Sequence, residues 1–188
     1  MRLAPRFTAP ELRLGGRFFS LAPSRQMEIR DAAPGDWPAI WPIIREVTSA
    51  GETFSWPTDV GEDQARAMWL AEPPSRAFVA LDPDGTVVGT ATMGPNHMGP
   101  ASHVATASFM VDNGQHGRGV GRALGEHVVD TARTDGYRGI QFNAVVEANT
   151  RAVALWQSLG FQIIGTVPEA FRHPAEGYVG LHIMYRRL

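Results

Sequence analysis

The sequence predicts one mixed α/β domain over residues 27–188, and three observations carry that prediction. Apolar residues alternate with a period of two in some stretches and recur at three and four in others, so strands and helices are interleaved. The interleaving runs strand, two helices, three strands, helix, strand, helix, two strands, which is the order of a sheet with helices laid against it. A chain of 188 residues, 44% hydrophobic and 19% charged, suffices for one well-buried core and is short for two.

"MEIRDA" (27–32) reads as a short strand. "PGDWPAIWPIIREVTSAG" (34–51) is helical, with Asp36 placed to cap, Pro38 suited to the first turn, and Ile40, Ile43, Ile44 and Val47 on one face. Pro42 falls early enough for its missing donor to be tolerated. "GETFSWPTD" is a loop and "EDQARAMWLAE" a second helix, with Ala65, Met68 and Trp69 expected inward. "RAFVALD" and "TVVGTATMG" are strands joined by the turn Pro83-Asp84-Gly85. After the loop "PNHMGPA", "SHVATASFMVD" is a long strand that runs into a glycine-rich stretch. "VGRALGEHVVDTARTDG" is a helix closed by Gly136, "GIQFNAVV" a strand, and "NTRAVALWQSLG" a helix ended by Gly160. "FQIIGTV" and "GLHIMYRRL" are the closing strands.

Residues 1–26 hold five arginines against one glutamate. They are expected to be a flexible N-terminal extension, with an arginine-rich transit-type peptide as the alternative, and they lack the apolar run of a signal peptide.

Composition excludes several chemistries. The absence of cysteine removes disulfides and thiolate nucleophiles or ligands. All 17 basic residues are arginine, so there is no Schiff-base or phosphate-loop lysine. A net charge of −2 argues against nucleic acid as the main partner. No apolar run is long enough to cross a bilayer, so no membrane partner and a cytoplasmic protein are expected. The six histidines show no ligand-pair spacing, so no metal is expected. Ser158 lies in "WQSLG", which lacks the first glycine of a nucleophile elbow.

The stretch "VDNGQHGRGVGRALGEHVV" (111–129) is the most informative. Gly114, Gly117, Gly119 and Gly121 fall between a strand and a helix that starts near Gly119 or Val120. The first amides of a helix have no internal partner, and the helix dipole places about half a positive charge there. Glycines let an anion approach those amides, and Arg118 and Arg122 add full charges, so the segment predicts a phosphate or diphosphate site. A turn that only packs is the alternative. The dinucleotide fingerprint fails, because its third glycine would fall on Arg122 or Leu124.

The run His116-Gly117-Arg118-Gly119-Val120-Gly121 resembles the acetyl-coenzyme A signature of the GCN5-related N-acetyltransferase (GNAT) family, Gln/Arg-x-x-Gly-x-Gly/Ala, with His116 in place of the usual Gln or Arg. "NTRAVALWQSLGF" (149–161) resembles the family's second block, Asn-x-x-Ala…Leu-Tyr-x-x-x-Gly-Phe. The resemblance covers nearly all of 27–188. It implies a mixed, mostly antiparallel sheet flanked by about four helices, with acetyl-CoA as co-substrate at the strand–turn–helix. It further implies that Phe109, Met110 and Val111 pair with the pantetheine through their backbone, and that Asn149 bonds the same arm. Trp156 stands where the family often has a tyrosine that protonates the leaving thiolate. An indole cannot act as that acid, so Trp156 is expected to pack along the coenzyme, or simply in the core.

"FNAVVEANTRAVALWQSLGFQIIG…" is similar to the branch that acetylates proline analogues such as azetidine-2-carboxylate, and "IRDAAPGDWPAIWPIIREV…ETFSW" has features of the phosphinothricin type. The first likeness places Asn143 in the substrate site, with Thr106 at the position of a second asparagine. For Asn143 a structural hydrogen bond is the alternative. Glu52, His103, Glu147 and His173 are candidate bases, with Glu147 and His103 otherwise plain surface groups. His97 is read as a surface residue, and Tyr178 with His173 as a border of the acceptor pocket. The expected function is N-acetylation of a small-molecule amine, with an amino acid or analogue as the narrower expectation. A silent acyl-CoA sensor and a protein N-terminal acetyltransferase are the alternatives, and homodimerisation is expected of the family.

Overall fold

The computed structural model describes residues 13–14, 17–18, 27–115 and 117–188. Strands β1 (Arg13–Leu14) and β2 (Arg17–Phe18) pair with each other. The rest of the expected N-terminal extension, and His116, lie outside the described residues.

The domain then follows the order anticipated from periodicity. β3 (Glu28–Asp31) leads through a 3-10 turn into α1 (Trp37–Ala50) and α2 (Glu62–Trp69). β4 (Arg76–Leu81), β5 (Val87–Pro95) and β6 (Val104–Val111) follow, then α3 (Val120–Thr134), β7 (Gly139–Val146) and α4 (Thr150–Ser158). β8 (Gln162–His173) and β9 (Gly177–Arg187) close the chain. One seven-stranded sheet runs β3-β4-β5-β6-β7-β9-β8. Every neighbouring pair is antiparallel except β6 and β7, which α3 connects as a crossover.

Both faces of the β4–β6 part of the sheet are covered, β8 at the edge is largely exposed, and strand alternation sorts the side chains between the two faces. On β4, Phe78 and Ala80 pack with Val120, Leu124 and Val128 of α3, whereas Val79 joins Ile40, Ile44 and Trp69 of α1 and α2. On β6, Ala105, Phe109 and Val111 go to the α3 and α4 side and Met110 to the other. A buried polar link ties α2 to the sheet: Trp69 Nε1 donates to Thr90 Oγ1 (2.9 Å), which donates to the Phe78 carbonyl (2.8 Å).

Several local expectations change. Met68 is 43% exposed while Ala65 and Trp69 are buried, because α2 is only eight residues long and offers the sheet a narrow stripe. Asp36 does not cap α1. Its carboxylate accepts from the Ala33 N–H (2.7 Å) and forms a two-pronged pair with Arg30 (2.7 and 2.8 Å). The hydrogen-bonded Arg30 guanidinium holds the Asp36 carboxyl below the usual carboxylate range. The last hairpin is longer than alternation suggested. An irregularity between Val167 and Phe171 hides the continuation of β8 past Pro168, since three residues bulge and the period of two is lost.

β6 and β7 matter most for function. Their parallel pairing is limited to Val104 with Gly139 and Ala105 with Ile140. Beyond those two rungs the strands part, and from Thr106 onward alternate backbone groups of β6 face a gap instead of a neighbour.

Candidate functional site

The glycine stretch is a tight staircase from β6 into α3. The Asp112 carboxylate accepts from Gly114 N–H (2.7 Å) and its carbonyl accepts from Gln115 N–H (2.9 Å). Gly117 and Gly119 both sit at φ +83°, a left-handed conformation that side chains other than glycine resist. Gly121 has a different reason: a Cβ there would lie 3.3 Å from Leu155 of α4. The first bond from a helical turn of α3 to a preceding carbonyl is Ala123 N–H to Gly119 O (3.0 Å). The amides of Gly119, Val120, Gly121 and Arg122 meet no partner among the described residues, and no side chain caps the helix. These donors stand at the strand–helix junction where the sequence predicts an anion site, and such amides are suited to an anion.

The arginines divide. Arg122 stands on the wall of the cleft above these amides, where it donates to Ser158 Oγ (2.8 Å). Arg118 turns to Gln115 Oε1 (2.6 Å) and is not on the wall. Arg151, missed from sequence, takes its place: it lines the cleft beside Gly117. Its one signal was position, one residue inside α4 after the Asn149 cap.

Two clefts meet here. The first, of about 430 Å³, runs from Glu52 past the end of β6 to the start of α3 and the side of α4. The second, of about 270 Å³, fills the gap between β6 and β7 beneath Phe54 and Trp56. Thr53, Phe109, Asn149, Ala152 and Trp156 line both, so the two spaces are continuous at that junction.

Asn149 caps α4, its Oδ1 accepting from Ala152 N–H (3.1 Å), which leaves its NH2 as a donor at the junction. Trp156 is 7% exposed. Its ring centroid lies 4.6 Å from Phe109 and 5.0 Å from Phe142, so it packs in the core and forms a wall of the junction. Met110 and Val111 line the first cleft, while Thr106 and Asn143 line the second. Asn143 Nδ2 donates to Asn96 Oδ1 (2.6 Å) and its Oδ1 accepts from Gln141 Nε2 (2.7 Å).

The candidate bases fare less well. Glu52 lines the first cleft only. Glu147 lines neither; its Oε2 accepts from Gly180 N–H (2.9 Å) and clips β7 to β9. His103 Nδ1 bonds the Pro100 carbonyl (3.0 Å), and His173 Nδ1 accepts from Ala175 and Glu176 N–H (3.2 Å each) in its own turn. Tyr178 is 67% exposed, and neither it nor His173 borders the acceptor space. Sequence distance could not show that the turn of the β8–β9 hairpin contributes no residue to the lining of either cleft. The second cleft is lined by rings, amides, hydroxyls and aliphatic groups, with no charged side chain among the described residues. Among the described residues there is also no group of three His, Asp or Glu that could hold a metal, and no helix is long and apolar enough to cross a membrane.

Comparison with known proteins agrees with this geometry. Residues 37–161 match the family described as "Acetyltransferase (GNAT) family". A GCN5-related N-acetyltransferase from Kribbella flavida of known structure is 57% identical, with a TM-score of 0.84 over 86% of this chain and 98% of that one. The L-methionine sulfoximine/L-methionine sulfone acetyltransferase of Pseudomonas aeruginosa is 30% identical over 75% of this chain and 83% of its own length. The N-acetyltransferase aca1 of Schizosaccharomyces pombe is 30% identical over 58% of this chain, which spans about half (53%) of that protein.

Proposed function

The chain belongs to the acetyltransferase (GNAT) family, and on that premise we propose that it moves the acetyl group of acetyl-CoA onto the amine of a compact amino acid or amino-acid analogue. The observation that carries the proposal is the meeting of two clefts at Phe109, Asn149 and Trp156. One cleft ends on bare amides and two arginines, the other on neutral hydrogen-bonding groups.

Acetyl-CoA supplies an acyl thioester and a thiol leaving group. The amides of Gly119 to Arg122, with Arg122 and Arg151, hold its diphosphate. Phe109 and Val111 turn their backbone groups to the gap and offer them to the pantetheine arm, which Asn149 also meets with its free NH2, whereas the backbone of Met110, expected to pair with the arm, faces β5. Of the main-chain N–H groups near the thioester, that of Val111 faces the gap and polarises the carbonyl, whereas the register with β5 turns the Met110 N–H toward Thr90. Asn143 and Thr106 orient the incoming amine within about 3–3.5 Å of the carbonyl carbon. With no titratable group lining the acceptor cleft among the described residues, the amine enters in its neutral form. An α-amino group with a pKa near 8 is partly neutral at cytoplasmic pH. Trp156 packs the junction and donates no proton.

The acceptor class follows from the acetylated amino-acid derivatives named for the Pseudomonas aeruginosa relative and from the size of the second cleft, below the roughly 300–1,000 Å³ of sites for drug-sized ligands. A cytoplasmic location and a homodimer belong to the same proposal, tested by fractionation and light scattering. The transfer itself is tested by titrating acetyl-CoA calorimetrically and following thiol release with amino acids, their analogues, simple amines and peptides. Binding with turnover on the small amines is expected. Binding without turnover would make the protein an acyl-CoA sensor, and preference for peptides would make it a protein acetyltransferase.

A further inference from the structure

An asparagine side chain on an open strand swings freely about its two side-chain bonds, and a swinging amide selects nothing. Asn143 is held at both ends. Gln141 Nε2 donates to its Oδ1 (2.7 Å), and its own Nδ2 donates to Asn96 Oδ1 (2.6 Å). Asn96 is the anchored member of this chain of amides. It follows β5 directly, and its backbone N–H is bonded to the Val104 carbonyl (2.8 Å). The bond from Asn143 therefore reaches across β6 close to the point where β6 and β7 separate.

Asn96 carries a second mark. Its Nδ2 is buried and meets no partner among the described residues. A buried donor left unmet opposes folding, so the side chain comes at a cost, and among the described residues its one side-chain bond is the one to Asn143. With one donor and one acceptor position engaged, the Asn143 amide keeps one N–H and one oxygen lone pair. That remainder complements a molecule that presents an N–H and an oxygen on neighbouring atoms, as the amine and carboxyl of an α-amino acid do.

We propose that Asn96, assisted by Gln141, is a positioning residue that locks the Asn143 amide, and that this lock makes the enzyme prefer α-amino acids to the corresponding amines without the carboxyl group. The inference rests on the transfer reading above. Its test is a ratio: kcat/KM for azetidine-2-carboxylate over azetidine, and for L-methionine sulfone over its decarboxylated amine. In the native enzyme the ratio should exceed one. Asn96→Leu should shrink it roughly tenfold while the KM for acetyl-CoA stays put, the loss expected for one orienting hydrogen bond. Asn96→Asp, which keeps an oxygen for Asn143 to donate to, should retain most of the preference. Gln141→Leu should shrink the ratio less than Asn96→Leu does, and it serves if the latter fails to fold.

Equal losses on both members of each pair, accompanied by a lower Tm, would show a purely structural asparagine and overturn the inference. So would a native enzyme indifferent to the carboxyl group. Native enzyme that binds acetyl-CoA yet acetylates none of these amines would instead remove the transfer reading, and this inference with it.

Discussion

The two clefts are built from different materials. The first presents main chain: the backbone of Phe109 and Val111, then the amides of Gly119 to Arg122, which meet no partner among the described residues. The second presents side chains: Thr106, Ser108, Asn143 and the rings of Phe54 and Trp56. A main-chain site tolerates changes of side chain so long as the backbone path survives. A side-chain site changes its ligand with each substitution. Under the proposed function, the acetyl donor is held by the backbone path and the acceptor is selected by a few side chains on β6 and β7.

The sharpest way to break this comparison is Gly119→Val. A β-branched residue cannot hold φ +83° without strain, so the staircase should distort and acetyl-CoA affinity fall by about a hundredfold or more. Calorimetry checks this, and Arg118→Ala should lose no more than severalfold because the amides remain. Next in size is Asn143→Leu, expected to lower kcat/KM for the acceptor by about 10- to 100-fold with unchanged acetyl-CoA binding. A fall in coenzyme affinity would merge the two sites and contradict the division. Trp156→Phe keeps an apolar ring at the junction and removes no acid, so kcat should change by no more than about threefold, given that a proton-transferring group contributes about 10²–10⁴-fold.

The smallest effect lies outside both clefts. Burial on α3, chiefly against Phe78, holds the half-buried His127 imidazole below its usual pKa; nearby Asp31 and Asp130 oppose the shift and Arg76 adds to it. The folded chain therefore resists a proton that the unfolded chain takes up. Stability should rise as pH climbs toward about 6.5, the unfolded value, and level off above it. His127→Phe should flatten that slope in thermal melts across pH 5–8 and leave acetylation kinetics alone.

What was legible in the sequence follows the same division. The span of β7 (Gly139–Val146), the start of α3 near Val120 and the glycine turn between β6 and α3 are legible in local pattern, because a turn and an alternation are encoded by neighbours in the chain; the capping of α4 by Asn149 is a finding of the structure. The acceptor side depends on partners far apart. Asn96 and Asn143 are 47 positions apart, and Glu147 is withdrawn by Gly180 on another strand, so neither pairing had a local signature. Arg151 displaced Arg118 for a similar reason: which arginine faces the cleft depends on how α4 lies against α3. There a Cβ on Gly125 would come within 2.7 Å of Leu159. The length of β8 was hidden by a bulge, which breaks the one periodicity that betrays a strand.

A crystal structure of the acetyl-CoA complex would show where the diphosphate and the thioester sit. Diphosphate oxygens should lie about 3 Å from the amides of Gly119 to Arg122, with the thioester at the junction of Phe109, Asn149 and Trp156. A diphosphate seated away from those amides, or a thioester pointing out of the gap between β6 and β7, would contradict the proposed function.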